Sequence, residues 1–137
     1  MKLFIDTSIF IDILRTEQVK SSKLLFKGIL GQNEAFTSAI TVAELSVGAH
    51  KSPRKDALEK TFRLLSFANV VGLDKDIAVA GGRIYAKLME KGAEIELNDC
   101  LIAATSLSLG IQRIVTRDNH FNRITGISAI TPEDMGF

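Results

Sequence analysis

Short apolar runs alternate with longer stretches of helical periodicity along this chain. Leu3-Phe4-Ile5 is too short for a helix, closes at Asp6 and reads as a buried strand. Ile9-Phe10-Ile11-Asp12-Ile13-Leu14 follows as a short helix, with Ser8 placed to cap it. A second helix is expected from Val19 to about Leu30, with Leu24, Leu25, Ile29 and Leu30 on one face and Gly31 ending it. Ala35-Phe36-Thr37-Ser38 reads as the next strand. Thr41-Val42-Ala43-Glu44 matches a capping box, which predicts a helix from there to about Ala49. Pro53 suits the start of a further helix with Ala57, Leu58, Phe62 and Leu65 on one face. Val70-Val71-Gly72-Leu73 is a third strand. Asp74 or Asp76 opens a long helix through Ala78, Ala80, Ile84, Leu88 and Met89 that ends at Gly92. Asn98 is expected to cap an apolar helix from Asp99 to about Leu109, stopped by Gly110. Arg113-Ile114-Val115-Thr116 and Ile127-Ser128-Ala129-Ile130 supply a fourth and a fifth strand.

Strands that alternate with helices and lack a polar face imply a parallel sheet covered on both sides. The expected fold is α/β, a three-layer α/β/α sandwich around a parallel sheet of four to five strands, with residues 1–137 as one domain. Such sheets place their sites outside the carboxyl ends of the strands. Asp6 and Asp118 both fall at or just past such ends, which is the first reason to consider them together.

Composition narrows the picture only a little. At 46% hydrophobic and 24% charged residues, the chain can bury a core unaided. The single cysteine, Cys100, rules out a disulfide within the chain. No stretch approaches the roughly 20 apolar residues that span a bilayer. The opening Met1–Asp6 is too short and too soon acidic for a signal peptide, so the expected location is cytoplasmic, with no membrane partner. A net charge of +1 excludes neither a nucleic-acid partner nor a small molecule.

The acids carry the chemistry. Each has an ordinary explanation: a turn acceptor for Asp6 and Asp118, a capping box for Glu44, a helix first turn for Asp99. Their conjunction is less ordinary, because two lie at one sheet edge and two in helix first turns able to face it. Four carboxylates in one cleft repel one another unless a cation is present. Oxygen ligands without a Cys or His cluster favour Mg²⁺ or Mn²⁺ over zinc, and His50 and His120 match no zinc spacing. Thr7, Ser8 and Thr116 place hydroxyls beside the acids, as supports for the carboxylates or contacts to a phosphate; a helix cap is the plainer role for Ser8. Asp12, one turn beyond Ser8, reads as solvated or salt-bridged, and Glu94 and Glu96 as facing water. Ser8 and Cys100 lack the partner His that a covalent nucleophile requires.

Phe4-Ile5-Asp6-Thr7-Ser8-Ile9-Phe10-Ile11-Asp12 resembles the opening motif of PIN-domain proteins, above all the VapC-type toxins. Three further segments agree in order and spacing: Thr41-Val42-Ala43-Glu44-Leu45 with Gly48, Asn98-Asp99-Cys100-Leu101-Ile102-Ala103-Ala104, and Val115-Thr116-Arg117-Asp118-Asn119-His120-Phe121. The resemblance covers nearly the whole chain. It implies a PIN fold and a Mg²⁺- or Mn²⁺-dependent endoribonuclease that leaves a 5′ phosphate. It implies that Asp6, Glu44, Asp99 and Asp118 form the catalytic and metal-binding site, with Asp6 and Asp99 the principal ligands, and that Thr116 lies near it. It further implies a homodimer held inactive by a cognate antitoxin. Arg15, common in the toxin branch, receives no catalytic role.

An RNA substrate needs a basic surface. Two sets of cations offer one: Lys51, Arg54, Lys55, Lys60 and Arg63, and the helically spaced Arg83, Lys87 and Lys91. The competing readings are a PIN-fold module that binds RNA or protein without cutting, which the intact acids disfavour, and a housekeeping nuclease. A receiver domain would need an acidic pair after the first strand and a Lys after the last, and Thr7 and the residues beyond Ile130 supply neither.

Overall fold

The computed structural model describes residues 1–29 and 34–137. The expected end of the second helix, at Leu30 and Gly31, lies outside them. The strands are β1 (Lys2–Ile5), β2 (Glu34–Ser38), β3 (Asn69–Val71), β4 (Arg113–Val115) and β5 (Ser128–Ile130). The helices are α1 (Thr7–Leu14), α2 (Lys20–Ile29), α3 (Ala39–Lys51), α4 (Ala57–Leu65), α5 (Lys75–Glu90) and α6 (Leu97–Ser108). Short 3-10 turns follow at Asn119–Arg123 and Glu133–Met135.

All strand pairs are parallel, and their order across the sheet is β3-β2-β1-β4-β5. This is the α/β/α sandwich that the alternating pattern predicts. Because side chains alternate along a strand, β1 feeds both layers. Leu3 and Ile5 pack with Ile9, Phe10 and Leu25 on one face. Phe4 packs with Ile102, Ile114 and Phe121 on the other. The central position of β1 therefore explains why its apolar run shows no polar alternation. Ile5 pairs with Val115, so β1 and β4 end side by side, and their following residues, Asp6 and Thr116, begin at one edge.

Helix starts differ from the sequence reading in an informative way. Asp6, not Ser8, caps α1, its carboxylate accepting from the Ser8 amide. The capping box at Thr41–Glu44 does not form, because α3 begins two residues earlier with Ser38 as its cap. Helix α6 begins at Leu97 after Glu96, so Asn98 lies within the first turn and is not the cap. The long helix does open on Asp74, whose carboxylate accepts from the Ile77 amide. Some apolar faces also turn outward: Leu58 and Phe62 of α4 are exposed, as are Leu24 of α2 and Met89 of α5. In α4 the buried positions are Thr61, Leu64 and Leu65.

Helix α6 is fixed by its contact with α5. At Gly81 an added Cβ would meet Leu101 Cδ2 at 2.5 Å and Leu101 Cα at 3.2 Å, whereas at neighbouring Gly82 it would meet nothing. The two glycines should therefore respond oppositely to alanine. Gly82→Ala should raise stability by up to about 1 kcal/mol through helix propensity. Gly81→Ala should lower it by about 1–2 kcal/mol, since a backbone atom of α6 must give way. Urea unfolding of the two variants measures both signs.

Candidate active site

Asp6 leaves β1 with an extended backbone and turns its side chain over the start of α1. Its amide still donates to the Val115 carbonyl, at 3.0 Å, so the residue is tied to β4 as well. The carboxylate is buried, and its Oδ2 accepts from Ser8 Oγ at 2.8 Å and from Thr116 Oγ1 at 2.7 Å. Those hydroxyls are themselves held in place. Ser8 Oγ accepts from the Arg117 amide, and Thr116 Oγ1 accepts from the Asp118 amide, each at 3.0 Å. The two side chains that motif spacing placed beside Asp6 thus share one of its oxygens.

Thr7 serves a different acid. Its hydroxyl donates to Glu44 Oε1 at 2.8 Å and lies 2.9 Å from Thr41 Oγ1. A hydroxyl has one proton to give, so Thr41 is the donor to Thr7. The Thr41/Glu44 pair is therefore real but reaches across to α1 instead of folding back on its own helix.

Asp99 stands in the first turn of α6, partly buried. Burial, followed by the negative charges of Asp6, Asp118, Glu44 and Glu96, pushes its carboxyl up to about 7. Burial likewise raises Asp6 and Glu44, against the hydrogen bonds that favour their charged forms. All four expected acids thus lie within electrostatic reach of one site. Glu96, expected to face water, is exposed but joins the same field. Asp118 also caps the Asn119–Arg123 turn, accepting from the His120 amide at 2.9 Å and lying 3.2 Å from the His120 ring. Among the described residues, no three His, Cys, Asp or Glu side chains stand close enough together to hold a metal ion as they are placed here. What the acids share is charge and donor type, hard carboxylate oxygens of the kind that Mg²⁺ or Mn²⁺ prefers. Buried Cys100 is no nucleophile, since burial and Asp99 raise its thiol to about 11.

The sequence reading assigned nothing to Arg117, yet it lies between two site residues and organises their surroundings. Its guanidinium donates to Asp12 at 2.8 Å, to Glu133, and to Ser21 and Ser22 at 3.0 and 3.1 Å. Asp12 is accordingly salt-bridged and buried, not solvated, and Ser22 also donates to it at 2.7 Å. Arg117 is turned away from the acid cluster while its backbone borders it. Its only signal in the sequence is its place between Thr116 and Asp118.

These features define a class: a parallel α/β protein with a carboxylate cluster where its two central strands end. The PIN domain model matches residues 3–127, and the chain belongs to the PIN domain family. The chain is 34% identical over 121 residues to Ribonuclease VapC19 of Mycobacterium tuberculosis, covering 88% of this chain and 92% of that protein. It is 29% identical over 130 residues to the tRNA(fMet)-specific endonuclease VapC of Salmonella typhimurium, covering 93% and 95%. Among solved structures, DNA-bound VapBC from Salmonella typhimurium superposes with a TM-score of 0.82 at 28% identity, over 96% of this chain and 98% of that one.

Crowding of like charges has a consequence for the metal-free protein. Asp99 has an ordinary value of 3.8 and a folded value of about 7, so between these the folded state holds a proton that the unfolded chain has lost. Stability therefore falls as pH rises from about 4 to 7 and levels off above. In EDTA, Asp99→Asn should match the wild type in Tm near pH 4 and exceed it by a few degrees at pH 8. Thermal melts across that range measure the gap.

Proposed function

We propose that this chain is a Mg²⁺- or Mn²⁺-dependent endoribonuclease and the toxin of a toxin–antitoxin pair acting in the cytoplasm. The observation that carries the reading is the raised Asp99 carboxyl, crowded by Asp6, Asp118, Glu44 and Glu96 at the edge of a PIN-domain sheet. The relatives named ribonuclease and tRNA endonuclease support an RNA substrate, and the VapC resemblance supports a cognate antitoxin and a homodimer.

In this reading Asp6, Asp99, Glu44 and Asp118 hold the cation, with Asp6 and Asp99 its principal ligands. When bound, the ion polarises the phosphoryl group and lowers the pKa of water, supplying the nucleophile at neutral pH. The chain's own work is positional. Ser8 and Thr116 fix Asp6 by donating to Oδ2, and Thr7 fixes Glu44 by donating to Oε1. Glu44 and Asp118 orient the attacking water. Water adds to phosphorus in line with the 3′ oxygen, the P–O3′ bond breaks, and the products carry a 5′ phosphate and a 3′ hydroxyl.

RNA cleavage in Mg²⁺ or Mn²⁺ should vanish in EDTA. It should fall by at least about a thousandfold in Asp6→Asn and Asp99→Asn while both proteins stay folded, the scale of a lost charge-stabilising group. Thr7→Val, which leaves every acid in place but releases Glu44, should lower activity by about 10–100-fold. Full activity in Asp99→Asn, or in EDTA, would contradict the metal mechanism.

A further inference from the structure

The two basic sets differ once their partners are seen. Of the first set, three of the five cations are ion-paired: Asp56 pairs with Arg54 at 3.7 Å and Lys60 at 3.2 Å, and Glu59 pairs with Arg63 at 2.7 Å. On α5 and its C-cap, Arg83, Lys87 and Lys91 are exposed and form no ion pair among the described residues. All three line the largest of the cavities described, about 790 Å³, between α5 and α6, and Arg123 joins them there.

The acids lining this cavity are Asp74 and Asp76, both at the start of α5, and Asp74 is occupied in capping the helix. Glu90, also on α5, lies one turn from Lys87 and forms no ion pair with it among the described residues. Charge is therefore graded along the groove, acidic where α5 begins and cationic where it ends. The cationic end is joined by a short segment to the first turn of α6, which carries Asp99, because Lys91 stands five residues before Glu96. That stretch spans at most about 17 Å even when extended. Arg123 NH1 donates to the Glu94 carbonyl at 3.3 Å, which ties the cation to the same connecting segment.

Cations at successive four-residue intervals on a helix are spaced about 6 Å apart along its axis. That step is comparable to the one between neighbouring phosphates of an extended single strand. We propose that the Arg83–Lys87–Lys91 face of α5, with Arg123, is the track along which single-stranded RNA lays its phosphate backbone before entering the acid cluster. The proposal rests on the ribonuclease reading and adds to it where the substrate lies. Point charges on a backbone track give affinity without base readout, so the track sets affinity and salt dependence.

The test is binding of a fluorescein-labelled single-stranded RNA in EDTA, read by anisotropy from 50 to 300 mM salt. Each lost phosphate contact should flatten the slope of log affinity against log salt by about 0.7. Arg83→Gln/Lys87→Gln/Lys91→Gln should flatten it by about 2 and weaken binding at least about tenfold at 0.1 M salt. Lys60→Gln/Arg63→Gln on α4 should leave both unchanged. With Mg²⁺, the α5 variant should raise KM for a long RNA and leave kcat intact, and the difference should shrink on an oligonucleotide too short to reach α5. The three positions are exposed, and an unchanged Tm shows that the variant is folded. A folded α5 variant with wild-type slope and affinity, beside a wild type that cuts RNA, would overturn the track and leave the ribonuclease reading standing. A wild type that neither binds nor cuts RNA would overturn both.

Discussion

Mutual repulsion of carboxylates is the constraint around which this edge of the molecule is arranged. Asp6, Glu44, Asp99 and Asp118 come from four separate segments, and folding brings them within range of one another with Glu96 alongside. The guanidinium of Arg117, which lies between Thr116 and Asp118 in the chain, is committed elsewhere, to Asp12 and Glu133. Neutral hydroxyls do the holding instead. Ser8 and Thr116 support Asp6, and Thr7 supports Glu44, so these two acids are oriented without having their charge cancelled. An Arg or Lys at those positions would cancel the charge that a divalent cation balances in the proposed function.

The fold makes this arrangement enforceable. Asp6 and Thr116 follow paired ends of the central strands, so their separation is set by backbone hydrogen bonding. Thr41 and Glu44 lie one turn apart on α3 and meet Thr7 from the side, and Thr41 gives its proton to Thr7 so that Thr7 can give its own to Glu44. Asp99 arrives on α6, whose seat against α5 depends on the missing side chain at Gly81. Arg117 then clamps α1, α2 and the C-terminal turn around the loop that carries Thr116 and Asp118.

What could be read from the residues follows the same physics. The strands were legible because a central parallel strand is apolar on both faces, as Leu3-Phe4-Ile5 is. The four acids were legible as a set because motif order and strand ends placed them together. The caps were not. Ser8, Thr41 and Asn98 each suit a helix start, but Ser8 gives its hydroxyl proton to Asp6 and Thr41 gives its own to Thr7. Asp6, Ser38 and Glu96 took the starts instead. Local pattern also could not say that Leu58 and Phe62 turn outward while Thr61 turns inward, since that choice belongs to the packing of α4 against α1 and α3. Nor could it separate the paired cations of α4 from the unpaired ones of α5. Arg117 was hidden for a related reason, since its partners come from distant segments.

Calorimetric titration with Mn²⁺ shows whether this crowded charge binds a cation. Wild-type protein at pH 6.5 should bind the ion and release close to one proton as Asp99 ionises, seen as a heat that changes with buffer ionisation enthalpy. Asp6→Asn and Asp99→Asn should each lose most of that affinity, and Asp99→Asn should release no such proton. Equal Mn²⁺ affinity in the wild type and both variants would contradict the account.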